Sequence, residues 1–224
     1  MTFRHFLAPK MILFLVWNSA AARPPVLGVV VEANRVYLNA SEVSVGATVY
    51  DGDQFTTETG GMLLLRGDAL TLQLAEDSSV VVRGRTSEPL GTEAELTRGT
   101  LIFSAERANA LEIAALSARI SPVADARTVA QITIAGLREL RIYARRGSLR
   151  FSYREQTETI AEGDAFRVIL DPPEDTPKNE KTVSAGKSRK AFLLIPIAAG
   201  VLGASAFAYE ERHHRRPVES PDRP

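Results

Sequence analysis

The sequence predicts an all-β protein, and three observations carry that reading. Short apolar runs alternate with polar residues at period two. Leu70, Leu72 and Leu74 stand against Thr71 and Gln73, the pattern of a strand with one buried face. Glycine-acid corners separate the runs, at Asp51-Gly52-Asp53, Gly67-Asp68 and Gly163-Asp164. Glycine there accepts positive φ, and aspartate bonds nearby backbone. Corner and strand also recur together. Asp51-Gly52-Asp53-Gln54-Phe55 is echoed by Glu162-Gly163-Asp164-Ala165-Phe166, and Arg98-Gly99-Thr100-Leu101-Ile102-Phe103 by Arg146-Gly147-Ser148-Leu149-Arg150-Phe151. In each echo an aromatic sits at a fixed distance from the glycine. The expectation is an elongated β-sandwich or β-roll of short stacked strands, with similar corners burying equivalent side chains.

Taken in order, Met1 to Ala22 reads as a secretory signal. Arg4 and Lys10 supply positive charge, Met11 to Trp17 a short apolar core, and Ser19 to Ala22 small residues suited to cleavage. The β domain is expected over Arg23 to Leu170. Its first strands lie in Val26 to Val31, Val36 to Leu38 and Val43 to Val49, separated by Glu32-Ala33-Asn34 and Asn39 to Glu42. Val49 to Val82 organises the rest: a Gly52 corner, the run Met62 to Leu65, a Gly67-Asp68 turn, Leu70 to Leu74, a turn at Glu76 to Ser79, and Val80 to Val82. Arg83 to Glu95, with Gly84, Pro89 and Gly91, reads as a loop, and Leu96 to Ala105 restarts a strand.

Glu106 to Arg119 is open between two readings. Ala108, Leu111, Ala115 and Ala118 fit one face of a helix, while Ile113, Ala115, Ser117 and Arg119 alternate as in a strand. Beyond the break at Ser121-Pro122, strands are expected over Val129 to Ala135, Glu139 to Ala144, Ser148 to Arg154 and Ala165 to Leu170.

Asp171 to Lys190, with Pro172, Pro173 and Pro177, reads as a linker. Ala191 to Tyr209 carries no charge and as a helix would reach roughly 28 Å, so it is expected to be a single transmembrane helix. Gly200 with Ala204, and Ala199 with Gly203, have the small-xxx-small spacing of paired membrane helices, which admits a homodimer. With the body exported, Glu210 to Pro224 is expected to be a short basic cytoplasmic tail.

The stretch from Gly52 resembles the core of the FecR-like domain, a bacterial envelope module. The resemblance rests on Gly52, Asp53, Thr57, Leu63 to Leu65, Asp77 and Val80 to Val82, in that order. Later corners at Gly99, Gly147 and Gly163 extend it, so that it covers about Val26 to Leu170. It favours a loop leading to a strand for Glu106 to Arg119. It also implies a periplasmic protein-binding module held at the inner membrane, possessed of a signal-sensing or regulatory role. Regulators of that family carry a cytoplasmic sigma-binding helical domain where this chain has its signal. The role expected here is therefore a binding or scaffold module, with a cell-wall or glycan-associated structural module as the alternative.

Chemistry is limited by composition. Lys and Arg number 27 and Asp and Glu 27, so no global field points to nucleic acid. There is no cysteine, which removes disulfides and thiolate metal sites. The histidines are His5, His213 and His214, all outside the expected domain, which leaves it no histidine base or ligand. Asp51 with Asp53, and Glu76 with Asp77, are the carboxylate pairs that could serve catalysis or calcium. Turn chemistry accounts for both, and neither has a calcium-loop spacing. The expectation is no enzyme, no cofactor and no metal. Charge is segregated, Ser41 to Leu96 acidic and Thr97 to Leu170 basic and built on Arg. This reads either as two solvated faces or as an Arg-lined binding face.

Overall fold

The computed structural model describes residues 25–85, 91–171 and 191–197, and these are all strand and turn. The first strands are β1 (Val26–Leu38), β2 (Ser41–Glu42), β3 (Thr48–Tyr50), β4 (Asp53–Gly67), β5 (Leu70–Leu74) and β6 (Ser79–Arg85). Next come β7 (Gly91–Ala105), β8 (Leu111–Ala115), β9 (Ala118–Pro122) and β10 (Thr128–Gly136). The last are β11 (Glu139–Arg146), β12 (Leu149–Tyr153), β13 (Gln156–Ile160), β14 (Ala165–Leu170) and β15 (Phe192–Pro196). The protein is therefore all-β over these residues.

Three long strands each serve two layers. The first half of β7 pairs with β6 and β8, through residues such as Ala94 with Val82 and Ile113. Its second half pairs with β5 and β10, Phe103 lying between Leu72 and Ala130. β4 divides likewise, Asp53 to Thr56 pairing with β6 and Leu63 to Gly67 with β5. β1 follows β4 through both halves. The front layer thus runs β1, β4, β6, β7, β8, β9, β12, β13. The back layer runs β3, β1, β4, β5, β7, β10, β11, β14, β15.

The core lies between the layers, and its lining follows the pleat. Back-layer Leu63, Leu74, Leu101, Ile132 and Ile142 form one cross-strand row, all fully buried. Front-layer Ala94, Leu96, Leu111, Ile113, Ile120, Leu149 and Phe151 are buried from the other side. Residues one step out of phase point away from the core, because successive side chains of a strand alternate faces. Along β7 the inward set changes from even (Ala94, Leu96) to odd (Leu101, Phe103, Ala105) across Gly99. From β11 to β12 it changes from even (Leu140, Ile142, Ala144) to odd (Leu149, Phe151, Tyr153) across Gly147. Each parity change is where the chain passes between layers.

Several sequence expectations are corrected. Arg83 to Glu95 is not a loop throughout: β6 extends to Arg85 and β7 begins at Gly91, paired Arg85 with Gly91 and Arg83 with Glu93. Gly84 and Gly91 disguised this, as glycine in a strand reads like a turn. Val43 to Val49 is not one strand, since a turn around Gly46 separates β2 from β3. Glu106 to Arg119, by contrast, follows the favoured reading of a loop leading to a strand, and the helix alternative falls away. Leu111, Ile113 and Ala115 face the core on β8, and a tight turn at Leu116 and Ser117, both at positive φ, leads into β9.

Of the helix expected over Ala191 to Tyr209, only residues 191–197 are described. Phe192 to Pro196 are not helical; they form β15, antiparallel to β14, from Leu170 with Phe192 to Phe166 with Pro196. Two bonds frame the ladder, Asp171 N donating to Ala191 O at 2.9 Å and Ile197 N to Ala165 O at 2.9 Å. Phe192 is buried and meets Phe151 of the front layer, so β15 is held by core packing as well as by pairing. The described sheet therefore includes Phe192 to Pro196, beyond Leu170. Residues 172–190 and 198–224 lie outside the described residues, as do the expected signal and tail. Among the described residues no helix is long and apolar enough to cross a membrane.

Candidate functional site

Five of the seven residues singled out by the sequence fall into two clusters, both at layer crossings, and Gly52 and Asp53 form a separate corner. The first joins Thr57, Asp77 and Gly99. Thr57 is buried on β4, where its Oγ1 donates to Ala75 O at 2.5 Å and accepts from Ser78 N at 3.0 Å. This fastens the Glu76–Ser78 turn to the strand. Asp77 Oδ1 accepts from Thr59 Oγ1 at 2.9 Å, and Asp77 O accepts from Arg98 Nε at 3.1 Å. Ser78 Oγ accepts from Thr100 N at 2.8 Å. Gly99, at φ +82, lies against Ser78: a Cβ there would fall onto Ser78 Oγ and within 2.6 Å of its Cα. Only glycine satisfies both the conformation and the contact.

The second cluster joins Gly147 and Gly163. Gly147 has φ +71, and a Cβ on it would sit 2.7 Å from Thr128 Oγ1. Its N–H donates to Glu162 Oε2 at 2.9 Å, and Gly163 N donates to Ala144 O at 2.7 Å. The first cluster has a parallel carboxylate, Glu76 Oε2 accepting from Gly60 N at 2.7 Å. Gly52 and Gly163 head matching turns, both at φ +86. Gly52 N donates to Val82 O at 2.9 Å and Asp53 Oδ2 accepts from Tyr50 N at 2.8 Å. The echoes seen in the sequence are thus equivalent corners. Sequence reasoning missed their partners, Ser78, Thr128, Glu76 and Glu162. Hydroxyl and acid residues are common in turns, and nothing along the chain ties Ser78 to Gly99.

The candidate carboxylate pairs are engaged in the same way. Asp51 Oδ1 accepts from Gly84 N at 2.8 Å, while Asp53, Glu76 and Asp77 accept from Tyr50, Gly60 and Thr59. Among the described residues no group of three or more metal-ligating side chains converges. A crevice between the layers, lined by Leu27, Val49, Leu65, Leu72 and Val82, encloses about 10 Å³, room for about one water.

The arginines do not gather on one face. Arg83 pairs with Glu95 at 2.5 Å, Arg85 with Glu112 at 3.9 Å, and Arg119 also with Glu112, all on the outer front layer. On the back layer Glu139 takes Arg167 at 2.6 Å and Arg141 at 3.6 Å. The Arg167 hydrogen bond holds the Glu139 carboxyl below its ordinary range. Tyr153 Oη donates to Asp171 Oδ2 at 2.8 Å, and this bond, with burial behind it, raises the phenol. The outer faces differ as a result. The front face is laced by ion pairs. The back face ends at each rim in exposed apolar side chains: Val26, Val29 and Tyr50 on β1 and β3, and Leu137 and Leu193 near β15.

At the first rim Val26 pairs directly with Tyr50, and Val29 lies between Thr48 and Arg66. Glu32, beside Leu64 in the next row, has a buried Oε2 that accepts no hydrogen bond. This patch combines apolar area with a guanidinium on one surface.

No protein-family model matches this chain, and no curated protein does. Among solved structures, it is similar to the crystal structure of a "putative anti-sigma factor" from Parabacteroides distasonis, with a TM-score of 0.42 and 12% identity. The match covers 52% of this chain and 54% of that one, so the likeness extends over about half of each molecule.

Proposed function

We propose that this chain is a FecR-like module of the bacterial envelope that recognises another protein through the β1–β3 rim of its back layer. The FecR reading is supported by the positions of Gly52, Asp53, Thr57, Asp77 and Gly99, which hold the layer crossings rather than line a pocket. A module whose recurring residues are spent on corners leaves its surface free to specialise. The observation that carries the recognition surface is the patch of Val26, Val29 and Tyr50 beside Arg66. Val26 is 65% exposed and Tyr50 40%. Aromatic and arginine residues on an apolar field are what protein interfaces concentrate. Strand addition is less suited to this rim, since β2 and β3 are two and three residues long and offer little ladder. The role is recognition, in keeping with signal sensing or scaffolding in the periplasm, and the chain is exported and held at the membrane.

The test is site-specific photocrosslinking in cells from Val29, with Thr159 on β13 as the control position. A defined adduct from Val29 that is absent from Thr159, and lost in Arg66→Glu, is the expected result. Equal crosslinking from both positions, or an adduct indifferent to Arg66→Glu, would remove this surface from the reading. Export is checked separately by labelling Ser44→Cys with an impermeant thiol reagent after outer-membrane permeabilisation, in a chain that has no other cysteine.

A further inference from the structure

The outward face of the back layer differs from that of the front. One cross-strand row crosses seven strands with Ile102 of β7 at its centre. Gln73, Leu64 and Glu32 step away on β5, β4 and β1. Gln131, Tyr143 and Ala165 step away on β10, β11 and β14. Leu64 and Ile102 are buried here, although neither belongs to the core between the layers. The neighbouring rows carry hydroxyls at the centre, Thr71 with Ser104 and Thr100 with Thr133. From Leu64 to Tyr143 the row holds no charge, whereas Arg83, Glu95, Glu112 and Arg119 cover the front face. A face whose centre is cleared of charge, with the charge kept to its margins, has the composition of a protein–protein contact.

Three groups on this face lack a good partner. Gln131 is 8% exposed, and its Oε1 accepts no hydrogen bond among the described residues. Gln73 Nε2 donates to Met62 Sδ at 3.5 Å, a weak acceptor. Glu32 Oε2 accepts no hydrogen bond either, while Arg141 and Arg167 share the carboxylate of Glu139 on the other side of the sheet. A polar atom kept from water without a partner is costly until a donor reaches it. These groups stand at matching distances from β7. Gln73 and Gln131 are on the strands either side of it, and Glu32 and Arg167 are on the third strand in each direction.

We propose that this face stacks on the same face of a second copy of the chain, about a two-fold axis that runs along β7 at Ile102. The axis exchanges the two sides of the row. Gln73 then lies over the partner's Gln131 and supplies a donor to the orphaned oxygen, and the same pair forms again across the axis. The terminal amide torsion of glutamine is broad, so Oε1 can turn outward without disturbing its strand. Leu64 lies over the partner's Tyr143, and Glu32 comes beside the partner's Arg167. Seven strands at about 4.8 Å and three rows at about 6.8 Å make a face of roughly 34 by 20 Å, or about 700 Å² per copy. A stable interface buries roughly 800 Å² on each side, so the face is large enough. β3 lies outside the overlap and Tyr50 stays open. The inference therefore goes beyond recognition of another protein at that rim and does not rest on it.

Cysteine placement on the purified full chain tests it, since the chain has no cysteine of its own. Ile102→Cys should form a disulfide between copies on mild oxidation, because the axis brings this position against itself. Gln73→Cys and Gln131→Cys should each stay largely reduced alone and cross-link when mixed. Each is offset from its own counterpart by two strand spacings, roughly 10 Å, which a disulfide cannot bridge. Ser152→Cys on the front layer is the control and should not link. Gln73→Glu puts a charge into the uncharged centre and should raise the dimer dissociation constant at least tenfold in sedimentation equilibrium. Hydrogen exchange at Ile132 and Ile142 should stay as it was, which separates lost association from lost fold. A chain that stays monomeric, or a dimer indifferent to Gln73→Glu, would overturn the proposal. So would Gln73→Cys linking to itself as readily as to Gln131→Cys. If Ile102→Cys does not fold, the mixed pair decides alone.

Discussion

Phe151 and Phe192 meet edge to face, their ring centroids 4.9 Å apart and their planes at 75°. One comes from β12 of the front layer and the other from β15 of the back, so this contact clasps the layers at the end far from β3. Gln156 Oε1 reinforces it by accepting from Ala191 N at 2.9 Å.

Phe192→Ala should therefore release β15 in particular. Removing a buried phenylalanine side chain typically costs about 3–5 kcal/mol, including the aromatic pair. Because β15 is an edge strand joined to the body through residues 172–190, the loss should appear as local opening. Hydrogen exchange at the Ile195 and Ile197 amides is expected to rise far more than at Ile132 or Ile142. Uniform destabilisation across all strands would mean β15 is not a separable unit.

The two kinds of glycine corner give a graded prediction. Gly163 and Gly52 have positive φ with open space around the missing Cβ. Alanine there should cost about 1–2 kcal/mol from conformation alone. Gly99 and Gly147 have similar φ and also press on Ser78 and Thr128, so alanine should cost more, about 3 kcal/mol or above. Urea denaturation of the four variants is the measurement, and equal losses at all four would refute the packing account.

Thr57→Val keeps the shape of a buried side chain while removing its hydroxyl. Ser78 N and Ala75 O then lose a buried partner. The expected destabilisation is about 1–3 kcal/mol, the range for orphaned buried backbone groups. Thr56→Val is the comparison, because its hydroxyl bonds only that of Ser79 among the described residues. It should change stability by less than half as much.

Acid should weaken the margin around Glu139. Its carboxyl is held low by the Arg167 hydrogen bond, with further help from Arg141. A depressed folded value means the contribution is fully present above the unfolded carboxylate range, near about 4.3, and is lost as pH falls through the folded value. The pair is partly solvated, so about 1 kcal/mol or less is at stake. Glu139→Gln should flatten stability against pH below that range and leave its shape near neutrality unaltered.

Much of this architecture was legible in the residues because strand parity and corner chemistry are local. Leu70, Leu72 and Leu74 alternate in the sequence and line the core as they alternate. The Gly99 and Gly147 echoes were visible as strings and proved to be matching crossings. What was not legible depends on distance along the chain. Phe192 to Pro196 is an unbroken apolar run, which reads as helix or strand alike, and its partner β14 lies more than twenty residues earlier. Ser78 and Thr128 became meaningful only when folding set them under a glycine. The exposed rims could not be read at all, since Val29 and Val30 differ only in which way the pleat turns them.

Pro196 carries one further consequence. The bonds from Asp171 to Ala191 and from Ile197 to Ala165 assign the odd positions of β15 to β14, so the nitrogen of Pro196 faces the open margin. Another polypeptide trying to prolong the ladder there finds amides at Phe192 and Leu194 and then no donor. The open margin of β15 is thereby guarded against edge-to-edge growth, because its last rung is missing.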